Sequence, residues 1–107
     1  MRRYGQIIGV KPEDIERYKE YHAEVWPEVL DMIRKCNIRN YTIFLKDFTL
    51  FAYFEYIGTD YAADMHKMAE DPKTQEWWSI MEPMQVPVPA RKKGEWWADM
   101  EEVFHTD

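Results

Sequence analysis

The sequence predicts an α+β fold of the ferredoxin-like type, a βαββαβ sandwich in which helices cover one face of an antiparallel sheet. Three observations predict it. Segments rich in β-branched and aromatic residues alternate with segments of helical periodicity in the order β-α-β-β-α-β. Each helical segment is interrupted by a proline, and the 107-residue length fits a single domain, 1–107.

The first half of the chain predicts one strand and a broken helix. Residues 1–10 read as a strand that Lys11 and Pro12 end, and Pro12 suits the first turn of a helix running to about residue 24. Pro27 interrupts that helix, because proline lacks an amide proton and its ring clashes with the preceding turn. A second helical piece begins at Pro27 and ends near Asn37. The apolar stripe comprises Ile15, Tyr18, His22, Val25 or Trp26, Val29 and Ile33.

A hairpin and two further helices follow. Strands are expected over 38–46 and 48–57, joined by a turn at Lys46-Asp47. Thr59 or Asp60 caps the next helix, and Asp71-Pro72 begins the last one. A proline-containing loop then leads to a closing strand over Met100 to His105.

The second hairpin strand is apolar on both faces, so both faces need to be covered. Helices can cover one face, and a second copy of the chain can cover the other. Aromatic residues make up 16% of the chain, which is much for so small an interior. We therefore expect a homodimer, the dimeric α+β barrel type.

Composition excludes several classes of function. The net charge of −6 disfavours nucleic acid as a partner, and the lone Cys36 forms no intrachain disulfide, which is typical of a cytoplasmic protein. Neither a signal peptide nor a membrane span is expected. No residue spacing suggests a metal site, and no glycine-rich phosphate loop or nucleophile elbow occurs, so no cofactor is expected.

His22 is the most informative single residue, because it occupies a stripe position where an aliphatic residue would be expected. Tyr18 precedes it by one helical turn, so a phenol and an imidazole face the same space. Imidazole donates and accepts protons near neutral pH, which suits a general acid or base. The alternative is a core histidine hydrogen-bonded to Tyr18 or to a backbone carbonyl.

Aromatic residues supply the second signal. Trp77 and Trp78 are adjacent on a helix, so their rings point about 100° apart, and one can pack while the other lines a cavity. Indole faces stack on the apolar face of a sugar or on a flat ring. Tyr41, near the start of the second strand, could offer its phenol to a polar ligand or simply be a sheet tyrosine.

Together these residues resemble the L-rhamnose mutarotase family. The resemblance is carried by Tyr18-x-x-x-His22-x-x-x-Trp26-Pro27-Glu28, Asn40-Tyr41, Trp77-Trp78 followed by Met81, and Glu102-Val103-Phe104-His105. It covers nearly the whole chain. It implies a homodimer of ferredoxin-like fold that interconverts the α and β anomers of L-rhamnose, a monosaccharide, without a cofactor. It also implies that His22 transfers protons and that Tyr18, Tyr41, Trp77 and Trp78 bind the sugar.

The segment from 83 to 97 departs from the family pattern, and a reshaped cavity rim there could admit L-fucose or another deoxy or acidic sugar instead. Two other functions are consistent with the fold. One is a dimeric ferredoxin-like monooxygenase or haem-degrading protein, and the other is a non-enzymatic sugar-binding module. Acceleration of anomer exchange distinguishes the mutarotase from both.

Overall fold

The computed structural model describes residues 1–107, which form five strands and four α-helices. The strands are β1 (Arg2–Val10), β2 (Ile38–Lys46), β3 (Thr49–Tyr56), β4 (Gln85–Val86) and β5 (Ala98–Met100). The helices are α1 (Ile15–Ala23), α2 (Pro27–Lys35), α3 (Tyr61–Glu70) and α4 (Pro72–Met81). Short 3-10 helices precede α1 at Pro12–Asp14 and follow α4 at Glu82–Met84. None of the helices is both long and apolar enough to cross a membrane.

The strands form one antiparallel sheet in the order β2-β3-β1-β4, and β5 also pairs with β1. The register of β1 against β3 runs without interruption from Arg2 opposite Tyr56 to Gly9 opposite Thr49. The helices cover one face of this curled sheet, so the ferredoxin-like fold predicted from the sequence is confirmed.

The core lies between the sheet and the helices. In β3 the buried residues alternate with half-buried ones, as expected for a strand with one face on the core. One buried cluster joins Ile8 of β1 to Tyr18 of α1 and Trp77 of α4, and it includes the fully buried Met84. Tyr18 and Trp77, two of the predicted site residues, are therefore part of the packing that holds the fold together.

The chain ends differ from the prediction in two places. The closing strand is Ala98–Met100, not Met100 to His105, and the missed strand Gln85–Val86 pairs with Gly9 and Val10. Beyond Met100 the chain leaves β1, and Arg3 and Glu102 form an ion pair of 4.0 Å there. Val103 and Phe104 are both apolar, but both are exposed within this chain, and no neighbouring strand pairs with them.

Candidate functional site

A cavity of about 710 Å³ lies between the sheet and the helices. Its volume falls within the range of roughly 300–1,000 Å³ typical of small-molecule sites. The walls are mostly apolar and aromatic, with a few polar groups. All five residues predicted from the sequence line it, namely Tyr18, His22, Tyr41, Trp77 and Trp78.

His22 lies in the last turn of α1, and its orientation is fixed by one hydrogen bond. Its Nδ1 is 2.8 Å from the carbonyl oxygen of Tyr18. Because a carbonyl only accepts, Nδ1 carries the proton and Nε2 keeps its lone pair for a ligand. Burial lowers the pKa of His22 below 6.5, and the hydrogen bond to the carbonyl opposes this shift. The imidazole is therefore neutral at pH 7 and able to accept a proton.

The helix break gives His22 its open surroundings. Helix α1 ends at Ala23 and α2 begins at Pro27, so the chain turns directly after the histidine. A smaller cavity of about 120 Å³ contacts His22 and Tyr18 on a second side, next to Lys19 and Leu45. The core-histidine alternative thus describes its hydrogen bond correctly, but the ring also lines a cavity.

Tyr18 is buried, and its ring stacks on the imidazole of His22 with the centroids 4.2 Å apart. Its hydroxyl accepts a hydrogen bond of 3.1 Å from Nε2 of Gln85. Burial raises the pKa of Tyr18, and the bond from Gln85 opposes that shift. The phenol therefore keeps its proton at neutral pH.

Tyr41 reaches the cavity because of a bulge in β2. Arg39 pairs with Glu55 and Thr42 with Tyr53, so Asn40 and Tyr41 together oppose one residue of β3. Asn40 adopts a left-handed conformation with φ of 52°, which asparagine tolerates better than most residues. The extra residue reverses the alternation and turns Tyr41 toward the core face.

The phenol of Tyr41 lines the cavity although the residue as a whole is 40% exposed. Desolvation of this group raises its pKa well above 10.0, and the nearby phenols of Tyr18 and Tyr61 add to the effect. Tyr41 is thus a neutral hydrogen-bonding group in the cavity.

The adjacent tryptophans differ in burial, as the helical geometry predicted, although both contact the cavity. Trp77 is buried, and it meets His22 edge to face at 5.5 Å and Trp26 at 5.1 Å between centroids. Trp78 leaves 37% of its surface exposed. Helix α4 presents both rings because Asp71 caps its start, accepting hydrogen bonds from the backbone nitrogen and hydroxyl of Thr74.

Sequence reasoning missed four polar residues of the cavity wall, Gln6, Thr74, Glu82 and Gln85, and of these Gln85 touches a predicted site residue most directly. It is buried, it contacts Tyr18, and its Oε1 accepts a hydrogen bond of 2.8 Å from Nε1 of Trp96. A single amide within the otherwise apolar run from Met84 to Val86 is the signal that could have identified it. Trp96 and Trp97 also line the cavity, so the divergent segment from 83 to 97 forms part of the wall.

The structure contains no group of three or more His, Cys, Asp or Glu side chains placed to hold a metal ion. His66 and His105 lie at the surface, where each contacts a carboxylate, Glu70 and Asp107 respectively. Neither lines the cavity.

The sequence profile of the L-rhamnose mutarotase family matches residues 3–106. The chain belongs to the L-rhamnose mutarotase family. It is 36% identical to the L-rhamnose mutarotase of Oceanobacillus iheyensis, with 100% of both chains covered. It is 34% identical to that of Lactiplantibacillus plantarum, again over the whole of both chains.

Solved structures agree on the fold. An L-rhamnose mutarotase from Formosa agariphila superposes with a TM-score of 0.79 at 23% identity, covering 100% of both chains. The tetracenomycin F2 cyclase of Streptomyces glaucescens, a polyketide cyclase, superposes with a TM-score of 0.71 at 14% identity, and this likeness concerns the fold alone. The family predicted from the residues is confirmed, and nothing here favours a monooxygenase, a haem-degrading protein or a non-enzymatic module.

Proposed function

We propose that this member of the L-rhamnose mutarotase family interconverts the α and β anomers of L-rhamnose by acid- and base-assisted opening of the ring. The observation that carries the proposal is the pairing of a neutral imidazole with a protonated phenol, stacked 4.2 Å apart in a cavity walled by indoles. One group accepts a proton and the other donates one, which are the two functions that ring opening requires.

His22 is the proposed base. Its Nε2 accepts the proton of the anomeric hydroxyl as the bond from C1 to the ring oxygen breaks and the C1 carbonyl forms. Tyr18 is the proposed acid, and its hydroxyl gives a proton to the departing ring oxygen. Its raised pKa brings the phenol closer to an alcohol in acidity, so it suits proton exchange with a sugar oxygen.

Closure of the ring reverses these transfers. After rotation about the bond between C1 and C2, the liberated hydroxyl attacks the other face of the carbonyl. The Tyr18 phenolate takes its proton back, and the His22 imidazolium returns a proton to the anomeric oxygen. Both side chains recover their starting protonation state, so the cycle consumes nothing and yields only the other anomer.

The aromatic walls would orient the sugar. Trp77 and Trp78 offer ring faces or edges to the apolar side of the pyranose, and the phenol of Tyr41 offers a hydrogen bond to a hydroxyl group. A 6-deoxy sugar carries a methyl group, which fits a mostly apolar wall better than a hydroxymethyl group does. This preference favours L-rhamnose and L-fucose over hexoses that keep the hydroxyl at C6.

Saturation-transfer NMR on L-rhamnose anomers tests the proposal. We expect His22→Ala to lower the enzyme-catalysed exchange rate by roughly 10²- to 10⁴-fold, the usual contribution of general acid–base catalysis. The matched control is His66→Ala, which removes an exposed imidazole on α3 and leaves exchange unchanged. Undiminished exchange in a folded His22→Ala variant would contradict the mechanism. L-Fucose and D-glucose measured in parallel define the substrate.

A homodimer in the cytoplasm is the proposed working form. The sheet face opposite the helices carries apolar side chains, of which Phe44 on β2 is 63% exposed and Ile7 and Phe51 are half-buried. A second copy of the chain would cover this face. The lone Cys36 is a free thiol, in keeping with a reducing compartment.

A further inference from the structure

Gln85 is buried and polar, and it touches the proposed acid directly. It lies on the short strand β4, where its backbone pairs with Val10. The residue is 7% exposed, and its side chain joins two aromatic residues, Trp96 on one side and Tyr18 on the other. Its amide has a donor end and an acceptor end, so its orientation determines which neighbour receives a hydrogen bond and which neighbour donates one.

The direction of this hydrogen-bonded chain is fixed at Trp96. An indole Nε1–H only donates, so the group 2.8 Å away must be the Oε1 oxygen of Gln85. The Nε2 end of the amide then faces Tyr18 at 3.1 Å. An amide N–H also only donates, so the Tyr18 oxygen must accept. The phenolic proton is left free to point elsewhere.

We propose that Gln85, oriented by Trp96, is a positioning residue that directs the Tyr18 proton into the cavity, toward the ring oxygen of the sugar. This inference rests on the proposed function, because it assigns a direction to the proton that Tyr18 donates. Neither Gln85 nor Trp96 needs to touch the reacting atoms. Their effect depends on the donor-to-acceptor direction of the hydrogen bonds from Trp96 through Gln85 to Tyr18, and not only on how these side chains pack.

The substitution Gln85→Glu tests the direction of these hydrogen bonds, because it replaces the amide donor with a carboxylate acceptor of nearly the same size. At pH 8 the carboxylate accepts from Trp96 and also from the Tyr18 hydroxyl, which turns the phenolic proton away from the sugar. We expect exchange to fall roughly 10- to 100-fold, the rate equivalent of the charge-assisted hydrogen bond that must then be broken.

The pH profile of this variant distinguishes a loss caused by the hydrogen-bond direction from a loss caused by altered packing. Burial raises the pKa of a carboxyl group, and once protonated the group can donate to Tyr18 again. The ratio of variant to wild-type exchange therefore rises as the pH falls from 8 to 5.5, and using a ratio removes the titration of His22 common to both. Gln75→Glu, the same change on the exposed side of α4, should keep a ratio near one at every pH.

Two milder substitutions complete the series. Gln85→Met removes both hydrogen bonds without adding a charge, so we expect a smaller loss that does not vary with pH. Trp96→Phe removes only the indole donor, so the amide can adopt either orientation and we expect the smallest loss. Equal losses in Gln85→Glu and Gln85→Met at every pH, or a flat ratio for Gln85→Glu, would overturn the inference.

A readout without turnover separates this inference from the proposed function. In protein labelled with ¹³C at tyrosine Cζ, the Tyr18 resonance of Gln85→Glu should show the titration of the new carboxyl group in addition to that of His22, whereas the wild-type resonance should follow His22 alone. A variant resonance that titrates as the wild-type resonance does counts against the inference. A wild-type protein that does not accelerate anomer exchange counts against the proposed function alone.

Discussion

At the scale of single residues, the tautomer of His22 and the amide orientation of Gln85 define the site. The carbonyl of Tyr18 fixes the proton of His22 on Nδ1, and the indole of Trp96 fixes the amide of Gln85. Each choice follows from a partner that can only accept or only donate. The structure therefore presents a defined acceptor, Nε2 of His22, beside a defined donor, the hydroxyl of Tyr18.

The lowered pKa of His22 predicts how activity depends on pH. The neutral imidazole is the proposed base, so kcat/KM should fall on the acid side with an apparent pKa below 6.5, the ordinary value for histidine. The measurement is exchange NMR between pH 4.5 and 8, with ¹⁵N NMR of the His22 ring as a direct titration. A ring pKa at or above 6.5 would contradict the prediction.

The same shift has a consequence for stability. The unfolded chain protonates this imidazole near pH 6.5, and the folded chain does so only at lower pH. Between those two values the unfolded state binds more protons, so the free energy of unfolding decreases as the pH falls. In urea denaturation the stability of wild type should fall relative to that of His22→Gln as the pH drops below 6.5, and the difference between the two should be constant above pH 6.5.

Most of the site was predictable at this scale because its residues follow local rules. Tyr18 and His22 share a helical face through a spacing of four residues, and the adjacent tryptophans diverge by the helical angle. Gln85 was not predictable in this way. Its partners lie 67 residues before it and 11 residues after it in the chain, so only the packed structure brings them together.

At the scale of elements, proline and aspartate marked the boundaries that the structure confirms. Pro27 begins α2 and Pro72 begins α4, with Asp71 as the cap that the sequence indicated. The closing strand was predicted at Met100 to His105 and lies at Ala98–Met100, because the local sequence does not say where a neighbouring strand stops pairing with it. The segment from 101 to 105 contains the apolar pair Val103 and Phe104, yet the chain leaves β1 after Met100.

The bulge in β2 predicts an effect of Asn40 on the site. Asn40→Val places a β-branched residue in a left-handed conformation, which should lower the free energy of unfolding by about 1–2 kcal/mol. Restoring regular alternation would also turn Tyr41 out of the cavity and raise KM for the sugar. Asn40→Gly accepts the conformation and should preserve KM. Urea denaturation and exchange kinetics measure the two effects.

Asp47 provides the control for this prediction. It also has a positive φ, 55°, but it lies in the hairpin turn and does not line the cavity. Asp47→Val should cost a similar stability without changing KM. If Asn40→Val behaved like Asp47→Val in the kinetics, the bulge would not be what orients Tyr41.

At the scale of the whole molecule, the two faces of the sheet have different roles. The core face is filled by Ile8, Leu50 and Phe54, and it closes the cavity against the helices. The other face exposes apolar side chains to solvent in a single chain. The sequence showed that β3 is apolar on both faces. The helices cover one of these faces, and the other needs a partner to cover it.

The proposed homodimer makes the last prediction. Phe44 lies on this outer face, so Phe44→Glu places a charge where a second copy would pack, and burying an unpaired carboxylate is costly.

Phe48, in the hairpin turn, is 56% exposed against 63% for Phe44, so Phe48→Glu is a matched control that should remain dimeric. Sedimentation equilibrium should give twice the 13.0 kDa chain mass for wild type and Phe48→Glu. Phe44→Glu should sediment as a monomer, and a wild-type monomer at micromolar concentration would refute the dimer. The apolar outer face would then need some other partner, because a monomer leaves it exposed to solvent.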